Sequence, residues 1–325
     1  MPLQTDRRTF LKSSLAVPAV MALAPQGRGL AEPAANSTAA ISEGQSALPC
    51  GQIGNLQISR LLLGGNLLTR YAHNRGVKFV SELAARYNSD EKILETLVEA
   101  ERHGINTLVI HTVPAAMRLL KEHRDNRGGK IQWIICPTSP IEDGLKKYTE
   151  HVHKLVEMGV AAVYLWGNQT DRLVADGRAD LIGEAVNLIK GQGVAAGVGA
   201  HDLRVIQECE ERGVQADFYI KTLHHHEYAN GPKAEDLTIP FREVPGYWCR
   251  EPQDTIELMK KVNKPWIAFK VMAAGAIPPD EAFRYAFENG ADHILAGMFD
   301  FDIAEDAGIV RDLYPKIERT RAWMS

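Results

Sequence analysis

From Gln52 onward, short runs of apolar and β-branched residues alternate with longer stretches in which apolar positions recur at helical spacing. This order is typical of parallel strands joined by crossover helices. One helix is clearly delimited, because Ser89 is a suitable N-cap for residues 90–103 and Gly104 follows its last turn. The pattern therefore predicts an α/β domain built around a parallel sheet.

Eight strand-and-helix units follow one another, and a small hairpin over residues 52–58, turning at Gly54–Asn55, precedes them. A (β/α)₈ TIM barrel of about 250 residues accounts for this order. An open doubly wound sheet is the alternative, but no Gly-rich GxGxxG loop follows an early strand. The predicted barrel strands are residues 60–64, 106–110, 132–136, 161–166, 194–198, 216–221, 266–270 and 293–296.

Two long stretches interrupt the repeat. Residues 66–87 are predicted to be a loop with cationic side chains, and the insertion after the sixth strand, which ends at Arg250, is a candidate lid. Tyr247 and Trp248 in that insertion either form part of an aromatic wall for a substrate or pack it onto the barrel rim. The cationic residues of the first stretch are Arg70, His73, Arg75 and Arg86.

The N-terminus has a different pattern, in which Arg7 and Arg8 precede an apolar run over residues 14–24. The run is shorter than the roughly 20 residues that span a bilayer, so a stable membrane anchor is not expected. The pair and the run resemble a twin-arginine export signal. We predict a twin-arginine signal peptide at 1–31, a disordered linker at 32–47 and a single barrel domain at 48–325, in a periplasmic or secreted protein that meets the twin-arginine export machinery.

Charge excludes one class of partner. The net charge is -4 and no stripe of Lys and Arg interleaved with aromatic residues occurs, so we expect no nucleic-acid partner. A small-molecule substrate is expected instead, at the carboxyl ends of the barrel strands, where TIM-barrel active sites lie.

Several segments are similar to those of the aldo-keto reductase barrel. The similarity covers most of the chain after the linker and includes the hairpin before the first strand. The resemblance implies an NADP-dependent oxidoreductase with an Asp, Tyr, Lys and His tetrad at the ends of strands two to four. The matching segments are 104–106 entering the second strand, 163–165 in the fourth, 197–199 in the fifth and 269–275 after the seventh.

The tetrad of that family is missing from this chain. His111 follows the second strand where the family places Asp, and no Tyr follows it. The third strand ends at Cys136 without a Lys, and Trp166 to Asn168 after the fourth strand include no His. The chain thus resembles a divergent member without the tetrad, and NADP binding with His111 in place of the acid is one alternative.

Histidines near the predicted strand ends suggest a metal site. Imidazole and carboxylate groups bind Zn, Fe, Mn or Ni, and alternate residues of a strand share a face. His201, His224, His226 and Glu227 are therefore candidate ligands of a divalent metal. Substrate hydrogen bonding or ordinary loop chemistry without a metal is the other interpretation of the same residues.

Two lysines and a histidine are candidate catalytic groups. Lys270 follows an apolar strand, where burial would favour a base or a Schiff-base nucleophile. Lys221 and His111 hold equivalent positions after other strands. A structural pairing of Lys270 with an acidic residue is the alternative. The candidate substrate-binding residues are Asn66, Trp166, Asn168, Tyr228 and Asp300.

These residues favour an exported TIM-barrel enzyme that acts on a small polar, sugar-derived carbonyl compound by acid–base chemistry, with or without a metal. Lyase, isomerase and hydrolase reactions all fit this description. The aldo-keto reductase-like oxidoreductase and a non-catalytic binding protein on the same barrel are the two alternatives, and fold by itself does not separate them.

Overall fold

The computed structural model describes residues 47–237 and 249–325. In these residues eight parallel strands pair in chain order and close into a barrel, which confirms the predicted fold class. The predicted signal peptide, all but the last residue of the linker, and Tyr247 and Trp248 lie outside the described residues. The barrel strands are β3 Leu61–Gly64, β4 Thr107–His111, β5 Gln132–Cys136, β6 Ala162–Leu165, β7 Ala195–Ala200, β8 Phe218–Thr222, β9 Trp266–Phe269 and β10 His293–Ala296.

The predicted hairpin is present and covers the amino-terminal end of the barrel. Strands β1 (Cys50–Ile53) and β2 (Leu56–Ser59) pair antiparallel, and Gly54 turns the chain with a φ of 58° that favours glycine. Ile53 and Ile58 are fully buried in the cluster of apolar side chains that fills the barrel interior. The hairpin thus closes the end of the barrel opposite the carboxyl ends of the strands.

The helices surround the barrel and bury their apolar faces against the outer surface of the strands. No helix in the two described ranges is both long and apolar enough to cross a membrane. The described helices are α1 Lys78–Tyr87, α2 Asp90–Arg102, α3 Pro114–Lys121, α4 Lys146–Glu157, α5 Gly167–Ala175, α6 Asp180–Gly191, α7 Leu203–Glu211, α8 Pro252–Met259, α9 Pro279–Glu288 and α10 Ile303–Leu313.

The prediction of a loop over residues 66–87 is wrong, because α1 occupies its second half. The helix lacks a side-chain N-cap, and Ala84 is its single buried residue. Apolar residues do recur at helical spacing from Phe79 to Tyr87, so the signal was present in the sequence, but Phe79 and Leu83 are 63% and 60% exposed and do not join the core. Its apolar residues instead form a surface beside the carboxyl end of the barrel.

The last helix, α10, ends at Leu313, and the chain after it binds the amino-terminal end of the barrel. Asp292 is fully buried there and accepts a 2.7 Å ion pair from Arg321 as well as a hydrogen bond from the backbone of Trp266. Arg321 also donates to the carbonyl oxygens of Val262 and Lys264. This network ties the C-terminal segment to strands β9 and β10.

We predict that Asp292→Ala lowers the free energy of unfolding by about 3–5 kcal/mol, because it leaves the buried Arg321 guanidinium without its counter-ion. Urea unfolding followed by circular dichroism measures this change. Glu257→Ala is the matched control, since it breaks a 2.7 Å pair with Lys260 on the exposed face of α8 and should hardly move the midpoint. Equal midpoints for the two variants would contradict the assignment.

Candidate active site

A cavity of about 1220 Å³ opens at the carboxyl ends of the barrel strands. Side chains from inside the barrel, including Val109, Ile220 and Leu295, form part of its mostly apolar lining. Polar side chains from the strand ends and from the 66–87 segment complete it. Six residues predicted as functional line this cavity: Asn66, His111, Trp166, Asn168, His201 and Lys270.

His201 is held by a carboxylate from the neighbouring helix. Its Nδ1 atom lies 2.7 Å from Oδ2 of Asp171 in α5, and the other oxygen of Asp171 accepts the backbone N–H groups of His201 and Asp202 at 3.0 Å each. Asp171 is buried, so its carboxylate is fixed in place by these bonds. The contact assigns the Nδ1 proton to the Asp171 side and makes Nε2 the proton-exchanging atom.

Lys270 is placed on the cavity wall by a strained turn. It follows β9 directly and has a φ of 58°, and Ala273 and Ala274 in the same turn have φ values of 47° and 57°. Left-handed backbone is costly for residues other than glycine, and such strain occurs preferentially at functional sites. Arg75 supports this turn by donating to the carbonyl oxygen of Ala273 at 2.9 Å.

Two histidines of the cavity are held in the neutral form. Burial is the main cause that lowers the pKa of His73 to about 3, and the nearby Lys270 and His201 add to it. Burial also lowers the pKa of His111. The ring of His111 stacks on that of Trp166, with 6.1 Å between the ring centroids and 7° between the ring planes. Neutral imidazoles both donate and accept hydrogen bonds, so these rings are suited to substrate hydroxyl groups.

The four residues predicted as metal ligands do not come together. His224 donates through Nδ1 to the carbonyl oxygen of His225 and accepts the backbone N–H of Cys249 through Nε2, so both ring nitrogens are engaged. His226 donates to the carbonyl oxygen of Cys249, and Glu227 is exposed. Across residues 47–237 and 249–325, no three His, Cys, Asp or Glu side chains are placed to hold a metal ion. Of the four, only His201 lines the cavity.

Three other predicted residues also lie outside the cavity lining. Ile220 faces the cavity, so its neighbour Lys221 points to the opposite side of β8, where its Nζ atom donates to Thr222 Oγ1 at 2.8 Å. Asp300 forms a 3.1 Å ion pair with Lys92. Tyr228 packs edge-on against His224. These contacts are structural. Each of the three side chains follows a strand end but does not face the barrel axis, and each binds a neighbouring residue instead.

Four cavity or support residues were not identified as site residues from the sequence. Asp171 precedes His201 by a full βα unit, so no local spacing could reveal the pair. Asp302, Glu305 and Asp306 line the cavity at the start of α10, where acidic residues are ordinary in any first helical turn. The acidic run after the last strand was the available signal, but it did not distinguish capping from lining.

One tyrosine in the lining of the cavity lacks the activation of a reductase tyrosine. Tyr164 lines it from β6, but burial and the neighbouring Cys136 raise its pKa well above the usual value. A tyrosine general acid needs the opposite change, which a nearby cation supplies. The structure therefore places no replacement for the missing tetrad tyrosine at this position.

No protein-family model matches the sequence, and no curated protein matches it. Solved structures share the fold. Gox0644 in its apo form gives a TM-score of 0.55 at 11% identity over 85% of this chain and 95% of that chain. A Gox0644 variant in complex with NADPH gives a TM-score of 0.54 at 12% identity, over 85% of this chain and 95% of that chain. The holo form of an aldo-keto reductase from Bacillus halodurans gives a TM-score of 0.54 at 14% identity, over 81% of this chain and 91% of that chain. The chain thus has an aldo-keto reductase-like (β/α)₈ barrel, a likeness of fold and not of activity.

The acidic residues allow a test of the cavity's electrostatics. Burial and the charges of Asp302 and Glu305 raise the pKa of Asp306 to about 7, so between pH 4 and 7 the folded chain binds more protons than the unfolded chain and loses stability as pH rises. Asp306→Asn stays neutral. We predict equal stability of variant and wild type near pH 4, and a gain for the variant of up to about 4 kcal/mol at pH 8.

Urea unfolding at intervals from pH 4 to pH 8 measures the difference between the two proteins. Asp312→Asn removes the same charge from an exposed position of the same helix and should show no such growth with pH. A difference for Asp306→Asn that stays constant across this range would rule out the raised pKa.

Proposed function

We propose that this chain is an enzyme that transfers a proton next to the carbonyl group of a small, sugar-derived substrate. The observation that carries the proposal is the Asp171–His201 pair, which shares one cavity with Lys270. A histidine oriented by a carboxylate is a common general acid and base, and a lysine ammonium is a suitable partner for a negative oxygen.

In this reaction His201 Nε2 removes a proton from the carbon beside the carbonyl group. The electron pair of the broken C–H bond forms a C=C bond, and the carbonyl electrons move to oxygen, where the Lys270 ammonium stabilises the negative charge. Asp171 stabilises the imidazolium formed on His201. An isomerase results when the proton returns to the former carbonyl carbon and the hydroxyl proton on the α-carbon passes to the former carbonyl oxygen. A lyase results when a group leaves the β-carbon with its bonding electron pair.

Other cavity residues suit a hydroxylated substrate. The neutral rings of His73 and His111 and the amides of Asn66 and Asn168 offer both donors and acceptors to hydroxyl groups. Trp166 lines the same cavity and presents an aromatic surface of the kind that packs against sugar rings.

The proposal needs no metal or nicotinamide cofactor. The reductase alternative would place a dinucleotide with several phosphate groups in this cavity. Among the described lining residues, Lys270 is the sole Lys or Arg, while Asp302, Glu305 and Asp306 add three carboxyl groups. This balance is unfavourable for phosphates. Export by the twin-arginine route, read from residues 1–31, remains part of the proposal.

The experiment is hydrogen–deuterium exchange at carbon. We incubate the full chain in D₂O with a panel of hydroxyaldehydes, hydroxyketones, aldoses and ketoses, and follow loss of C–H signals by NMR. We expect exchange next to the carbonyl group of at least one compound, and His201→Ala should slow it by about 10²–10⁴-fold. His153→Ala, which removes an exposed histidine of α4, is the matched control and should retain the rate.

Asp171 is a positioning residue in this scheme, and Asp171→Asn tests that role. It should lower kcat more than it raises KM and should shift the acidic limb of the pH–rate profile, because His201 loses its negative partner. A purely structural role would lower the amount of folded enzyme without moving the pH profile. Absence of exchange by the wild type with every compound, together with NADPH oxidation by the same preparation, would favour the reductase instead.

A further inference from the structure

We propose that the cavity contains a second subsite, formed by Asp302, Glu305 and Asp306 at the start of α10, that binds a protonated amine. All three residues line the cavity that also holds His201 and Lys270. Three neighbouring carboxyl groups on one wall create a region of negative potential inside a largely apolar enclosure. A cationic group is the ligand that this arrangement favours.

The central observation is the environment of Asp306. Its exposed fraction is 3%, and none of the described residues donates a hydrogen bond to its carboxyl group. Burying a carboxyl group without a hydrogen-bond partner is costly, and such groups are normally paired. The carboxyl oxygens of Asp306 are not among the fully enclosed polar atoms without a partner, so they open to the cavity that Asp306 lines, and a partner reaches them from within it.

Helix capping does not explain this side chain. Carboxylates in a first turn normally accept backbone N–H groups or interact with the helix dipole at the surface. Asp302 does accept the backbone N–H of Phe299, at 3.1 Å. Asp306 enters the helix through its own N–H, which donates to the carbonyl oxygen of Asp302, while its side chain makes no capping bond among the described residues.

Within residues 47–237 and 249–325, no basic residue acts on the pKa of Asp302 or Asp306. Burial and the charges of Asp302 and Glu305 all act on Asp306 in the same direction, and each raises its pKa. Lys92 pairs with Asp300 at 3.1 Å and with Glu95 at 2.6 Å and not with these three residues. Above about pH 7, where Asp306 is ionised, the subsite therefore carries a negative charge that a bound ammonium group would offset.

The surroundings favour an organic cation over a metal ion. The rings of Phe299 and Phe301, which line the same cavity, stack with 5.2 Å between their centroids, and Tyr87 packs edge-on against both. Aromatic faces stabilise organic ammonium groups and cover their apolar carbons. A hydrated metal ion gains little from such walls, and the described residues place no three ligands for one.

Together with the acid–base residues, this subsite narrows the substrate class. A compound with a carbonyl group at His201 and Lys270 and a protonated amine at Asp306 would satisfy both regions of the cavity. This assignment to the substrate rests on the proposed function, whereas the binding of an amine by the subsite does not.

Isothermal titration calorimetry at pH 8 tests the subsite with two probes of the same shape, benzylamine and benzyl alcohol. We expect wild-type protein to bind benzylamine about 10–100-fold more tightly than the alcohol, as for a charge-assisted hydrogen bond in a buried site. Asp306→Asn should abolish the preference. Asp312→Asn, which removes an exposed charge from the same helix, should retain it.

His201→Ala separates this proposal from the proposed function, because it should slow carbon exchange by about 10²–10⁴-fold and leave benzylamine binding unchanged. Exchange without an amine preference would overturn the subsite and leave the proposed proton transfer intact. An amine preference without exchange would overturn the proposed proton transfer and leave the subsite intact. Equal affinities of the wild type for the two probes, or a preference that survives in Asp306→Asn, would overturn the subsite.

Discussion

Closure of the parallel ladder is the constraint on which the rest of this molecule depends. Strand β10 pairs with β3, with Ile294 opposite Leu61 and Ala296 opposite Leu63, so every barrel strand has a neighbour on both sides. Closure leaves no exposed edge and brings all eight carboxyl ends to one face. The hairpin and the buried Asp292 network occupy the other face, so the opening that remains is the cavity.

Within that cavity, charge is distributed unevenly. His201 and Lys270 lower the pKa of His73, while on the wall formed by α10 the clustered carboxyl groups raise the pKa of Asp306. Each effect follows from burial combined with like charges nearby. Such opposed shifts within one enclosure are typical of sites that handle protons and bind polar groups, which is why the proposed chemistry and the proposed amine subsite follow from the same electrostatics.

Position along a strand was enough to place some of the predicted residues at the cavity. Asn66, His111 and Lys270 lie at the carboxyl ends of barrel strands, and each lines the cavity. It failed where orientation mattered. Lys221 is displaced by one residue from the inward-facing Ile220, and a shift of one residue in a strand reverses the side on which a side chain lies. The histidines after β8 failed because their ring nitrogens bind the backbone of Cys249, a residue distant in sequence.

The sequence by itself determined the alternation of strands and helices, and hence the barrel, because hydrophobic periodicity is a local property. It also showed that the tetrad of the aldo-keto reductases is missing. Only the tertiary structure decided that Asp171 holds His201 and that Asp306 is buried with no hydrogen bond to its carboxyl group from the described residues. Hydrogen bonding and burial depend on residues that meet only after the chain closes, so no spacing along the chain could have revealed them.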